Sequence, residues 1–319
     1  MQRHNLSKKI GTIQIDVDGL WVIFQHFGVD YQEPTGDVMY ESSLPRFLDL
    51  FDLFNIKATL FVVGKDLFSA SKVALLKEAL KRGHEIANHT MTHREGFSFL
   101  SFAEKKREIE EAEYIIQDKL GVTTKGFRTP SNDVDIDVLR ILENRNYLYD
   151  SSLLPTFYGP LLRKLKLSPL KITRKDHYLG RAIYGFSSLA PYHPSYDAVW
   201  KKGNMKIIEA PITTMPILRM PFHMSFNFAM YDLGFGCGLF NLGYMLLNMT
   251  SLPLNFVFHT NELSDSIHIK KIKRQFGLSL SLKTKQRICN QVLTAIKKNF
   301  NIVTTAEFVR ILDTKSMMK

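Results

Sequence analysis

Residues 10–19 read IGTIQIDVDG, and the fold turns on them. Ile10–Val17 is an apolar, β-branched run of strand length, and it ends in Asp16-Val17-Asp18-Gly19. Side chains two apart on a strand share a face, so Asp16 and Asp18 project together. Two adjacent carboxylates repel unless a cation or a shared proton relieves them. The alternative reading of the pair is solvated loop carboxylates, helix caps or an Asx-turn.

Outward from this strand, strands and helices alternate. Leu44–Phe54 reads as a helix, Ala58–Val63 as a strand, Val73–Arg82 as a helix and His84–Asn88 as a third strand. Ser101-Phe102-Ala103-Glu104 is a capping box opening a long charged helix that stops at Gly121. Lys125–Arg128, Val134–Asn144 and Tyr147–Asp150 continue as strand, helix and strand. This alternation predicts a parallel sheet, open or closed into a barrel. From about 155 to 205 the pattern gives way to prolines, aromatics and basic residues, which read as an irregular elaboration. Lys206–Ile212 and Leu254–His259 resume as strands; Lys283–Asn299 is a helix, followed by a strand at Ile302–Thr304 and a closing helix. With no repeat, low-complexity tract or linker, residues 1–319 read as a single catalytic domain.

The bulk numbers bound the function. At 319 residues, 45% hydrophobic and 23% charged, the chain is ordinary for a soluble globular protein and long enough for one large α/β barrel or two smaller domains. Cys237 and Cys289 make neither a disulfide framework nor a zinc-type pair, so a reducing compartment is the simpler reading. The first residues contain no apolar h-region, and no stretch reaches about 18 uninterrupted apolar residues. A cytoplasmic placement follows as an expectation. The net charge of +11 favours an anionic partner, with a generally basic solvated surface as the alternative. No pattern of basic residues with base-stacking aromatics is present, so nucleic acid is not expected. Phe222–Leu247 is dense in Phe, Met, Leu and Tyr, and Lys270, Lys271, Lys273 and Arg274 follow it. Peripheral contact with an anionic membrane at its inner face is one reading; a buried barrel helix with its loop is the other.

Three further signals carry chemistry. In His89-Thr90-Met91-Thr92-His93, two histidines four apart can converge on one metal ion, although a chain with ten histidines can produce such a pair by chance. His84 reads as structural. His259 closes the apolar strand Phe256–Phe258, where a satisfied core histidine is the bland alternative. Arg128, in Gly126–Pro130, suits a carboxylate partner or a structural salt bridge. Asp16/Asp18, His89/His93, Arg128, Asp150 and His259 each fall at the carboxyl end of a separate predicted strand. That edge is where parallel α/β folds build active sites.

In order and spacing these motifs resemble the polysaccharide deacetylase family, the NodB-homology group of carbohydrate esterases (family 4). The resemblance runs over Ile15–Gly19, His89–His93, Arg128–Pro130, Tyr149–Leu153 and Val257–Leu263. It implies an irregular (β/α) barrel with one divalent metal ion on Asp18, His89 and His93. Zinc is the first choice, with cobalt, manganese, nickel or iron as alternatives. Asp16 would be the general base, oriented by Arg128, and His259 the general acid, oriented or tuned by Asp150. The implied reaction removes an N-acetyl group from an amino sugar in a glycan or a lipid-linked sugar. Departures exist. Val17 separates the acids, as in the Asp-x-Asp branch of peptidoglycan deacetylase-like and arabinose-lipid deformylase-like proteins. Ser131 stands where an aromatic is expected, and the tryptophan after Asp150 is absent. These bear on the acyl-pocket wall, not on the metal ligands. A deformylase, another non-peptide amide hydrolase, an O-acetyl esterase, or a non-catalytic glycan- or lipid-binding protein are the competing readings.

Overall fold

Strand β1 (Lys9–Val17) is the centre of a computed structural model that describes residues 8–26, 36–164, 180–265 and 280–317. Its side chains divide by parity. Ile13, Ile15 and Val17 join the main apolar cluster with Phe47, Leu60 and Phe258. Thr12, Gln14 and Asp16 face the other way, where they meet Thr305, Ser151 and Arg128 respectively.

In chain order β1 is followed by α1 (Leu20–His26), α2 (Leu44–Leu53), β2 (Thr59–Val62), α3 (Ala70–Lys81) and β3 (Glu85–Asn88). Then come α4 (Phe102–Leu120), β4 (Gly126–Phe127), α5 (Ile136–Asn144), β5 (Tyr149–Asp150) and α6 (Gly159–Lys164). The strands β6 (Pro194–Ser195), β7 (Ala198–Lys202) and β8 (Ile208–Glu209) precede α7 (Met224–Met230) and α8 (Gly238–Asn248). The described chain ends with β9 (Leu254–His259), α9 (Leu282–Asn299), β10 (Phe300–Val303) and α10 (Thr305–Met317). The predicted capping box is present on α4, and Gly121 closes that helix at φ 72°.

The main sheet is wholly parallel, in the order β9-β1-β2-β3-β4-β5-β8, with β10 paired to the first residues of β1. Thr213 N–H donates to Asn255 O at 3.0 Å, joining the segment after β8 to β9 and closing the ring. Phe61, Ala87, Tyr149 and Ile208 fill the interior together with Phe308 and Val309 of α10. The result is the expected irregular (β/α) barrel. Strands β4, β5 and β8 are only two residues long, shorter than the apolar runs predict. Beyond them, isolated backbone bonds such as Leu148 N to Lys125 O (2.8 Å) and Ala210 N to Asp150 O (2.8 Å) carry the pairing.

The elaboration at 155–205 contains α6, a short 3-10 turn (Ala182–Phe186) and the antiparallel pair β6–β7; residues 165–179 lie outside the described residues. The segment 222–249 is divided between core and surface. Phe222, Met224, Phe228, Phe240 and Leu247 are buried in the main cluster, while Phe235 (59%) and Met249 (77%) are exposed. Among the described residues no helix is long and apolar enough to cross a membrane. Lys270, Lys271, Lys273 and Arg274 lie outside the described residues.

Candidate metal and acid–base site

The carboxyl ends of β1 and β3 bring Asp18, His89 and His93 together. One ligand atom from each lies within 4.8 Å of the others, and all three residues are buried. Asp18 Oδ1 stands 3.7 Å from His89 Nε2 and 3.6 Å from His93 Nε2. That Oδ1 is sealed from solvent and has no hydrogen-bond partner, an arrangement that costs free energy unless a cation meets it. His89 Nδ1 lies 2.9 Å from Arg128 O, a pure acceptor, so the proton sits on Nδ1 and the Nε2 lone pair faces Asp18. Burial lowers the pKa of His89 despite the neighbouring Asp16 and Asp18, which keeps the ring neutral and able to ligate. Two imidazoles and one carboxylate suit a borderline divalent ion such as zinc, and the residues present fit one.

The histidine spacing is achieved by a turn, not a helix. Thr90 (φ 66°) and His93 (φ 48°) are left-handed, which is strained for side-chain-bearing residues and is over-determined by their surroundings. Thr90 N–H donates to Asn88 Oδ1 (2.8 Å), and His93 N–H to Thr90 Oγ1 (3.1 Å). Glu108 on α4 accepts from Thr92 N (2.8 Å) and Thr92 Oγ1 (2.5 Å). Behind Asp18, the turn at Gly19 rests on a buried cluster. Lys72 Nζ donates to Asp37 Oδ2 (2.6 Å) and Asp66 Oδ1 (2.5 Å), Trp21 and Tyr40 donate to Asp66, and Leu20 N–H donates to Asp37. A Cβ on Gly19 would lie 2.9 Å from both carboxylates, so only glycine lets the chain pass.

Asp16 lies between two partners. Arg128 Nη1 donates to its Oδ1 at 2.5 Å, and His259 Nε2 is 3.5 Å from its Oδ2. Burial alone would raise its pKa, but Arg128, His89 and His259 outweigh burial and hold it below the usual carboxylate range. Arg128, 1% exposed, is itself fixed by Ser151 O (2.8 Å), by Gln14 Oε1 and by the face of Phe61, 4.2 Å from the ring centroid. The expected pairing of Arg128 with Asp16 is therefore observed.

His259 has two further partners that the motifs do not single out. Ser225 Oγ, on α7, is 3.0 Å from His259 Nδ1 and donates to Glu262 Oε1 at 2.5 Å. Glu262 Oε1 is 3.4 Å from the same Nδ1, and its Oε2 accepts the His259 backbone N–H at 3.0 Å. Burial would depress the imidazole pKa, yet Glu262, Asp16 and Asp18 together raise it to about 9. Asp150 is not among these partners, which corrects the expectation that it orients or tunes His259. Tyr149 and Ser151 point into the barrel, so Asp150 between them points out. There it accepts from Ser152 Oγ (2.6 Å) and faces Glu209, also fully buried. His84 is structural, as expected: its Nδ1 accepts Ala58 N–H at 3.0 Å.

Comparison with known proteins agrees with this geometry. Residues 34–149 match the model of the polysaccharide deacetylase family. A chitin deacetylase from Cryptococcus neoformans var. grubii is 35% identical over 91 residues, covering 28% of this chain and 19% of that protein. A chitooligosaccharide deacetylase from Bradyrhizobium sp. is 41% identical over 49 residues, covering 15% of this chain and 22% of that protein. The alignments span about a fifth of the length of these curated relatives. Among solved structures, a Mycobacterium smegmatis protein assigned as a polysaccharide deacetylase superimposes with a TM-score of 0.57 at 13% identity, over 98% of this chain and 94% of that one. At that identity the likeness is one of fold. Over residues 34–149 the chain is thus similar to the polysaccharide deacetylase family, and its barrel has the fold of the Mycobacterium smegmatis protein.

Proposed function

We propose that the protein is a metal-dependent hydrolase that removes an N-acetyl group from an amino sugar in a glycan or glycan precursor. The observation that carries this reading is the Asp16 carboxylate 3.5 Å from the His259 imidazole, beside the Asp18–His89–His93 cluster. Asp18, His89 and His93 would hold the ion, which when bound supplies Lewis acidity that brings the pKa of a water from about 16 towards about 7. Asp16 accepts a proton from the attacking water, and Arg128 keeps that carboxylate ionised and aimed. As the C–N bond breaks, His259 Nε2 gives its proton to the departing nitrogen, because an amine leaves poorly until protonated. The products are a free amine and acetate. Each such proton transfer is typically worth about 10²–10⁴ in rate. The names of the matched relatives, deacetylases of chitin and chitooligosaccharides, support the substrate class.

Acetate release from N-acetylated oligosaccharides by the metal-loaded protein tests the reading, with O-acetyl esters and formamides run in parallel. Turnover confined to the esters or formamides would overturn it. The same proposal treats residues 1–319 as one catalytic domain working in the cytoplasm, peripheral at the inner membrane face. The +11 charge and the exposed Leu233, Phe235, Met245 and Met249 support that location. Sedimentation with anionic liposomes at low salt, lost as ionic strength rises, is the expected result. Failure to sediment at any salt concentration counts against it.

A further inference from the structure

We propose that Gln14 is a positioning residue: its side-chain amide, set from the far side by Thr305 of α10, holds the Arg128 guanidinium in the orientation that presents Nη1 to Asp16. This rests on the hydrolytic reading above and deepens it, since Arg128 aims the carboxylate that takes the proton from water.

Gln14 stands two residues before Asp16 on β1, so the two side chains share the inner face of the barrel. Both Gln14 and Arg128 are buried. The guanidinium is held through all three of its nitrogens. Nη1 donates to Asp16 Oδ1 at 2.5 Å, Nε to Ser151 O at 2.8 Å, and Nη2 to Gln14 Oε1. The other acceptor near Nη2 among the described residues is Ser151 Oγ, at 3.2 Å. That hydroxyl also faces Gln14 Nε2 and Asn255 Nδ2, each at 3.1 Å. A hydroxyl has two lone pairs and cannot serve three donors well. Gln14 Oε1 is therefore the acceptor that fixes Nη2.

Chemistry forces the orientation of the Gln14 amide. A guanidinium only donates, so the amide oxygen must face Nη2 and the Nε2 donors must point elsewhere. They meet Thr305 Oγ1 at 3.0 Å. That hydroxyl donates to Thr59 Oγ1 (2.9 Å), which donates in turn to Glu85 Oε2 (2.8 Å). Thr59 Oγ1 also accepts Thr305 N–H (2.8 Å), and Thr12 Oγ1 supplies the second bond to Thr305 Oγ1 (3.0 Å). Both hydroxyls thus use their one proton and two lone pairs. The bonds run one way, from the Gln14 amide to the Glu85 carboxyl. Thr305 opens α10, so the first turn of that helix reaches the guanidinium through a single side chain. An apolar residue of similar size at position 14 would leave Nη2 with the shared Ser151 hydroxyl alone and loosen Arg128 against Asp16.

The test reads orientation first and turnover second. In metal-free protein carrying isotope-labelled arginine, NMR measures rotation about the Arg128 Cζ–Nη2 bond. Gln14→Met should speed that rotation roughly 10-fold. Gln14→Glu, which keeps an oxygen facing Nη2, should restore slow rotation. With the metal-loaded protein and an N-acetylated chitooligosaccharide, Gln14→Met should lower kcat roughly 10-fold and leave KM within about 2-fold of wild type. In an Arg128→Met background the same substitution should cost nothing further, because its effect passes through the guanidinium. If Gln14→Met fails to fold, Gln14→Asn, a methylene shorter and still polar, makes the same comparison. Rotation as slow as in wild type, or equal losses in both Arg128 backgrounds, overturns the inference. A wild type that deacetylates no amino sugar removes the functional reading, while the rotation measurement still decides whether Gln14 holds Arg128.

Discussion

Asp16 and His259 are register partners across β1 and β9, and their side chains meet with Nε2 3.5 Å from Oδ2. The sheet itself places an acid next to a base. Each partner shifts the other's proton affinity: the imidazole helps keep Asp16 ionised, and the carboxylate helps keep His259 protonated. Arg128 and Glu262 extend the pair on either side, so its two members are held in opposite protonation states at neutral pH.

The first prediction separates ligand from base. His89→Ala and His93→Ala should each lose the bound ion and, with it, activity. Asp16→Asn should retain the ion yet lose about 10²–10⁴ in rate, because an amide cannot accept the water's proton. Metal content by mass spectrometry, read beside acetate release, makes the comparison. Full occupancy in His93→Ala would remove it from the ligand set, and an empty Asp16→Asn would make Asp16 a ligand.

The second concerns the titration of His259, whose pKa lies at about 9 against an ordinary 6.5. Because the folded value is raised, the stability it contributes is present below 6.5 and is lost as pH rises through about 9. Activity should show a basic limb from loss of the same proton. A bound cation nearby lowers that value by repulsion, so the apo protein should titrate above the metal-loaded one in an NMR measurement. Glu262→Gln should move the limb to lower pH, while Asp150→Asn should leave it in place. The opposite pattern would restore Asp150 to the role the motif suggests.

The Asp18–His89–His93 cluster and the Asp16–His259 pair are legible in the sequence because they depend on where strands end, which apolar runs mark well. Asp150 is misread because β5 has two residues, too few to show an alternation that would place Ser151, not Asp150, on the inner face. Glu262 leaves a signal three residues after His259, the spacing of a capping box, and the structure has that box. Ser225 leaves none: it reaches His259 from 34 residues away, through the packing of α7 on β9. The described part of the region 155–205 is irregular, as its prolines deny it periodicity, apart from the short β6–β7 pair.

A third prediction tests the support beneath Gly19. Lys72 is the cation shared by Asp37 and Asp66, whose side chains are 9% and 1% exposed. Removing one partner of a buried ion cluster leaves uncompensated charge, so Lys72→Met should destabilise the fold by about 3–5 kcal/mol in urea unfolding. Adding Asp66→Asn should restore part of that loss, since it removes one of the stranded carboxylates. A loss under about 1 kcal/mol for Lys72→Met would mean that the cluster is well solvated.

The last prediction follows from where Asp150 does point. Burial raises the pKa of both Asp150 and Glu209, and the charge of Asp150 pushes Glu209 further, well above the ordinary carboxylate range. Both raised values mean that the folded state binds more protons than the unfolded chain. Stability is then full below the ordinary values of 3.8 and 4.5 and falls as pH rises through the raised ones. Asp150→Asn replaces an ionisable group with a neutral one of the same shape. It should flatten the decline and become the more stable form at alkaline pH. Asp150→Ala should not, because it also removes the acceptor for Ser152 Oγ (2.6 Å), and Ser152 Oγ in turn accepts Thr129 N–H (2.8 Å) beside Arg128. Urea midpoints measured from about pH 5 to about pH 9 for wild type, Asn and Ala decide the matter. A wild-type curve that rises across this range, or an Asn variant parallel to wild type throughout, would show that the pair is ionised in the folded protein.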